Sequence, residues 1–108
     1  MPTIHDWHDL KVRTGRIVRA EPNTGARDPA YCLWIDFGEL GVLQTSAKIT
    51  DRYRPDDLPG RIVVAVTGFD SMLIGGFRSD VLVLGAETPD GVVLLQPDSD
   101  VAPGTTVA

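Results

Sequence analysis

Apolar and polar residues alternate along most of this chain in short runs, the period of strands rather than of helices. The cleanest run is Tyr31 to Phe37. Tyr31, Leu33, Ile35 and Phe37 fall on one face, and Cys32, Trp34 and Asp36 on the other. Lys11 to Glu21 reads as a longer strand, with Gly15 inside it marking a bulge or a sharp bend. Val42 to Thr45 and the β-branched run Arg61 to Thr67 supply a third and a fourth strand. Two apolar runs, 81–86 and 92–95, flank the turn Pro89-Asp90-Gly91 and predict paired strands buried on at least one face. Glu21 to Pro29 and Gly68 to Phe77, the latter with a Gly pair, read as loops, and Gly38 to Gly41 as a turn.

Helical spacing occurs twice. Thr3 to Asp9 predicts a short helix with Thr3 as N-cap and Asp6 completing a weak capping box. Its apolar residues Ile4 and Trp7 share a face, and so short a helix must pack on something. Between the third and fourth strands, Ala47, Ile49 and Tyr53 have loose helical spacing until Pro55 interrupts it. The order of elements predicts an all-β protein: a five-stranded OB-fold β-barrel with a short N-terminal helix and a small helix between strands 3 and 4. A β-sandwich is the alternative, but it does not need the inserted helix. The 108 residues form one domain, with 1–9 as the helix and 10–108 as the barrel and C-terminal segment.

Charge changes the picture of what such a domain could bind. The net charge is −5. Residues 1–61 hold nine Lys/Arg and nine Asp/Glu, whereas residues 62–108 hold one base, Arg78, and six acids. An anionic half repels a phosphate backbone unless the bases of the other half form a patch. The single Cys32 rules out an internal disulfide, which fits a cytoplasmic setting. No apolar run approaches the roughly 18 residues of a membrane span. The N-terminus has no basic region followed by a long apolar one, so no secretory signal is expected.

The polar cluster Arg78-Ser79-Asp80 sits at the mouth of a strand, where a rigid sheet presents binding groups. Arg78 and Ser79 are the first candidates for a ligand contact, although Arg78 could instead pair with Asp80 or Asp70. Lys48, with Ser46 and Gln44, lies near strands 2–3, where OB-folds bind, and is the second candidate, unless it is simply a solvated lysine. Arg13, Arg16 and Arg19 lie on the first strand, with Arg13 and Arg19 on one face by parity. They could track a phosphate backbone or simply form a row on a solvent face. Trp34 could stack on a base or be buried at a subunit interface. Phe69, Met72 and Leu73 make an apolar loop suited either to adaptable polypeptide binding or to a dimer core. His5 and His8 are three apart, but two histidines without a third ligand rarely make a metal site. No metal and no cofactor are expected. No nucleophile is placed beside a base, and no carboxylate pair has acid–base spacing, so a binding module rather than an enzyme is expected.

Several segments in order resemble one family. Leu10-Lys11-Val12-Arg13-Thr14-Gly15-Arg16-Ile17-Val18 is similar to the opening strand of the tRNA-binding OB domains, found as free dimers and appended to aminoacyl-tRNA synthetases. Ile35-Asp36-Phe37-Gly38, Gln44 to Thr50, Gly76 to Gly85 and Val92 to Asp98 resemble the CsaA subgroup, known as export-related chaperones. The resemblance implies an OB-fold homodimer that binds tRNA or unfolded, pre-export polypeptides without catalysis, with the N-terminal helix, and so Ile4 and Trp7, at the dimer interface; Trp34 is expected there too, from its own need of burial. One departure is concentrated in charge. Where the subgroup commonly carries an Arg pair ahead of Gly-Phe, this chain has Met72 and Leu73, and Asp70 has appeared. Two lost phosphate contacts would weaken RNA binding by roughly 1–2 orders of magnitude at moderate salt. That leaves a protein-interaction module that kept the fold and lost RNA binding as the alternative.

Overall fold

One long strand shared by two neighbours organises the molecule. The computed structural model describes residues 2–108; the side chains of His5 and His8, weighed above as a metal pair, lie outside the described residues. Strand β1 (Lys11–Pro22) pairs antiparallel with β4 (Ile62–Thr67) over its first half and with β2 (Tyr31–Asp36) over its second. Arg16 belongs to both ladders, opposite Asp36 on one side and Ile62 on the other. With β3 (Val42–Ala47) and β7 (Leu82–Val83) the sheet runs β3-β2-β1-β4-β7 and is antiparallel throughout.

The sheet curls because its two outer edges are tied together. The residues just ahead of β7 bond across to β3: the Asp80 N–H donates to the Gln44 carbonyl at 2.8 Å, and Thr45 Oγ1 donates to the Val81 carbonyl at 2.7 Å. The concave side holds the core of Ile17, Leu33, Ile35, Phe37, Val63 and Val81, all fully buried, with Ile49 and Leu58 closing over it. The alternation read from Leu33 to Phe37 is therefore the core face of β2.

Gly15 has a different role from the one expected. The bulge in β1 lies at Val18, where the pairing with β2 slips between Ile17 and Arg19. Gly15 instead makes room for the core. A Cβ built on it would stand 2.5 Å from Ile35 Cγ2 and 2.8 Å from Phe37 Cε1. The bulge also overturns the expected parity. Arg16 and Arg19 pair with Asp36 and Trp34, which share a face, so Arg16 and Arg19 lie together on the outer side. Arg13, an odd number of residues from Arg16 along regular strand, points to the other.

Three further expectations are corrected. The small helix between β3 and β4 does not form; that stretch holds only a single 3-10 turn, Pro55–Asp57. Tertiary anchors claim it instead. Tyr31 donates its hydroxyl to the Tyr53 carbonyl at 2.7 Å, and the Tyr53 hydroxyl accepts from the Leu94 N–H at 3.0 Å. The loop read from Gly68 to Phe77 contains a hairpin, β5 (Met72–Ile74) with β6 (Phe77–Ser79). Its turn is the Gly pair, with φ of +57° at Gly75 and +74° at Gly76, as a two-residue primed turn requires. Strands β8 (Gly85–Thr88) and β9 (Gly91–Leu94) do pair around Pro89-Asp90, but β8 is exposed along its whole length.

The ends of the chain meet on β1. Helix α1 (Ile4–Asp9) begins where the Thr3 N–H donates to Asp6 Oδ2 at 2.6 Å. The C-terminal segment runs along β1, with N–H donors of Thr14 to Thr105 O, Gly104 to Thr14 O and Val107 to Val12 O. Ile4 is 70% exposed and Trp7 40%. Trp7 borders an apolar cleft of about 550 Å³ with Val12, Val64, Leu84, Leu95 and Val107. No helix among the described residues is long and apolar enough to cross a membrane.

Candidate nucleic-acid interface

The outer face of β1, β2 and β3 carries the richest set of binding chemistry. The registers place Arg19 beside Trp34 and Trp34 beside Gln44 on one surface. The Arg19 guanidinium lies 4.5 Å from the centre of the Trp34 ring. The β5–β6 hairpin folds Phe77 against the same tryptophan, edge to face, with ring centres 5.6 Å apart and planes at 83°.

Two loops are locked together to hold that hairpin in place. Asn23, at the start of the β1–β2 loop, donates from Nδ2 to Ser46 Oγ at 3.0 Å and to the Ile74 carbonyl at 3.3 Å. The hairpin turn then sits directly on Ala26: a Cβ on Gly75 would meet Ala26 Cα at 2.6 Å. Only glycine combines that approach with the positive φ. The platform is therefore built from strands and a braced hairpin rather than from a free loop.

The expected site residues separate into three groups. Ser79 is fully buried and its Oγ accepts from the Ser46 N–H at 3.0 Å, while Ser46 is itself buried. As placed, neither serine presents its side chain to a ligand; together they fasten β6 to β3. Gln44, Arg78 and Lys48 do reach the surface. Gln44 donates from Nε2 to the Arg78 carbonyl at 3.0 Å, and Lys48 pairs with Asp28 at 3.0 Å. Met72 is 42% exposed and Leu73 75%, with Phe69 partly buried. Arg13 is not brought to this face at all; its Nη1 donates to Gly104 O and Thr106 Oγ1.

Four cations of this surface have an acid for a partner. Arg16 pairs with Asp100, Arg19 with Glu21, Lys48 with Asp28 and Arg78 with Asp80, at 2.8 to 3.1 Å. The pairs of Arg16, Arg19 and Lys48 are exposed on both sides and contribute little stability, so a phosphate can compete for the base. The Arg78–Asp80 pair is the best supported. Burial pushes the Asp80 carboxyl up, but hydrogen bonds from Ser71 Oγ and the Gln44 N–H, and then Arg78, more than offset this and hold it below its ordinary value of 3.8. A depressed carboxylate stabilises the fold above its ordinary pKa, and that contribution is lost as pH falls through the folded value. Stability is therefore expected to drop as pH goes below about 3.8, and Asp80→Asn should flatten that part of the profile in urea unfolding at stepped pH. An unchanged acid limb would contradict the role given to Asp80.

Reasoning from sequence missed Phe77 and Asn23. An aromatic residue directly after a Gly pair was the available signal for Phe77. Asn23 carries none beyond its place at a loop start. Cys32 lies buried beside Glu21; burial pushes its thiol up, the nearby carboxylate adds to this, and the group is unreactive. Among the described residues no three His, Cys, Asp or Glu side chains gather as metal ligands.

Comparison with known proteins points the same way as this face. The family model of the putative tRNA binding domain matches residues 12–106. The crystal structure of chaperone CsaA from Bacillus anthracis superposes with a TM-score of 0.92 at 46% identity, covering 100% of this chain and 99% of that one. The CsaA chaperone protein from Picrophilus torridus gives a TM-score of 0.93 at 41% identity, with both chains fully covered. A methionine–tRNA ligase of Thiobacillus denitrificans is 36% identical over 112 residues, 97% of this chain. The chain spans only 16% of that ligase's length.

Proposed function

Because the chain belongs to the putative tRNA-binding domain family, and within it to the CsaA type, we propose that it is a non-catalytic, cytoplasmic OB-fold protein that binds tRNA on the outer face of β1–β3. The observation that carries this reading is the Trp34–Phe77 pair capped by Arg19, with Gln44, Arg78 and Lys48 around it. Bases stack on such aromatic platforms while neighbouring cations follow the backbone. A base arriving on Trp34 displaces Arg19 from the ring. The freed guanidinium then exchanges Glu21 for a phosphate. Ser46 and Ser79 serve by fixing the hairpin.

The apolar cleft beside Trp7 is the surface on which two copies associate as a homodimer, which gives Ile4 and Trp7 the burial they lack. Trp34, packed between Arg19 and Phe77, is assigned to the platform in this reading.

Titrating tRNA affinity against salt tests the RNA reading. Three phosphate contacts, through Arg19, Lys48 and Arg78, predict a log–log slope of about −2 to −3. No binding at low salt, or a flat profile, would overturn it and leave the protein-interaction module.

A second reading has its own observation. Met72 and Leu73 are exposed on β5, which pairs on one side only among the described residues. An open strand edge with apolar side chains is what an unfolded, pre-export polypeptide can extend. This surface is expected to suppress aggregation of an unfolded client, as a secretion-related chaperone would. Met72→Asp with Leu73→Asp should abolish the suppression without altering tRNA affinity by more than the added charge explains. Unchanged suppression by the double variant would exclude this surface.

A further inference from the structure

The open end of the concave face carries a second chemistry, separate from the outer platform. Lys11 and Arg13 are two apart on β1, and so share the core-facing side with Gly15 and Ile17. Leu43 shares that side, since it pairs with the buried Ile35. Together with Leu40, Thr67 and Gly68 they enclose a cleft of about 380 Å³ where the curled sheet opens to solvent. Leu40 is 46% exposed there.

Two features make this more than a chance meeting of surface residues. The first is charge. Unlike Arg16, Arg19, Lys48 and Arg78, neither Lys11 nor Arg13 has a carboxylate within ion-pair distance among the described residues. Glu39 lines an adjoining cleft but does not pair with Arg13. Arg27, Arg52, Arg54 and Arg61 are likewise without an ion pair, but Lys11 and Arg13 are the two that line one cleft together with leucines. The second is local geometry: the Lys11 stem passes close over Gly68, and the Arg13 guanidinium is hydrogen-bonded. Gly68, at φ +80°, leaves its backbone bare beneath the Lys11 stem; a Cβ there would lie 2.8 Å from Lys11 Cγ. Arg13 donates from Nη1 to Gly104 O at 3.1 Å and to Thr106 Oγ1 at 3.3 Å.

Two cations and two leucines lining one cleft fit a ligand with an anionic head and an apolar body. We propose that this cleft binds a carboxylate attached to an aliphatic group, with the carboxylate on Lys11 and Arg13 and the chain on Leu40 and Leu43. A carboxylate on an aliphatic chain is favoured over a bare phosphate because Leu40 and Leu43 line the cleft beside the two cations. Only an amphiphile satisfies both walls. The same chemistry has two sources, a free aliphatic acid or the C-terminus of a polypeptide ending in an apolar residue.

The test uses the whole chain and four probes followed by amide chemical shifts: octanoate, octanamide, a short peptide ending in Leu with a free carboxylate, and the same peptide amidated. Octanoate is expected to shift residues around Lys11, Arg13 and Leu43, and octanamide to bind at least tenfold more weakly. Lys11→Gln should weaken octanoate several-fold, and Leu40→Asp should abolish binding. Both positions are exposed, so both variants should fold. Trp34→Ala should leave octanoate unaffected, which separates this site from the outer platform. Preference for the free over the amidated peptide assigns the site to polypeptide ends. Binding of octanoate with neither peptide assigns it to free acids. Equal binding of octanoate and octanamide, or no binding of either acid probe, overturns the proposal.

Discussion

Phe37→Ala is expected to lower unfolding free energy by about 3–5 kcal/mol, a large fraction of the roughly 5–15 kcal/mol that holds a domain together. The Phe37 ring is fully enclosed, and the element beneath it cannot collapse to fill the space. Gly15 lies directly under the ring and has no side chain to offer. The reverse change tests the same packing. Gly15→Ala would place a methyl 2.5 Å from Ile35 Cγ2 and 2.8 Å from Phe37 Cε1, an overpacking worth about 1–3 kcal/mol. Combined, the two should cost less than their sum, because the new methyl occupies part of the vacated ring volume. Urea unfolding of the four proteins in this cycle measures the coupling. Strict additivity, or a loss below about 1 kcal/mol for Phe37→Ala, would mean that ring and glycine do not meet as described.

That pair also shows where the sequence could be read and where it could not. The alternation of Leu33, Ile35 and Phe37 reveals the core face of β2, because burial on one side of a strand leaves a period of two. Gly15 is visible as an irregularity, but its cause is not. A glycine needed for space and a glycine at a bulge look the same along the chain, and the actual bulge at Val18 falls on a residue with no signal. The consequence reaches the site, since the bulge decides that Arg16 and Arg19, not Arg13 and Arg19, share a face. The strands within Met72 to Ser79 are hidden for another reason. Its Gly75-Gly76 pair is a hairpin signal, but three-residue strands are too short to show alternation. The segment 48–58 has helical spacing only in part, and the tyrosine hydrogen bonds that override it link residues far apart in the chain. Arg78 was legible as a surface group. The burial of its neighbour Ser79 depends on β3 lying alongside, which local pattern does not encode.

Trp34→Ala is expected to weaken tRNA binding by about 5- to 150-fold, the loss of one base stack at about 1–3 kcal/mol. The salt slope should stay where it was, because the indole carries no charge and its loss releases no counterions. Arg19→Gln should do the opposite. It removes one phosphate contact, so the slope should fall by about 0.7–0.9, with a smaller loss of affinity at high salt. Trp34→Phe keeps a ring face and should recover most of the binding. The half-buried Trp34 also packs on Phe77, so each variant needs a circular-dichroism melt beside its binding curve. Two results would remove Trp34 from the interface: an affinity unchanged in Trp34→Ala, or a slope that falls with it as it does for Arg19→Gln. Either would move the RNA to a surface governed by charge alone. On the outer face Arg16, Arg19, Lys48 and Arg78 already have an acid beside them. The aromatic platform is thus the part of that face whose contribution does not depend on displacing an acid, which is why its removal should outweigh that of any single base.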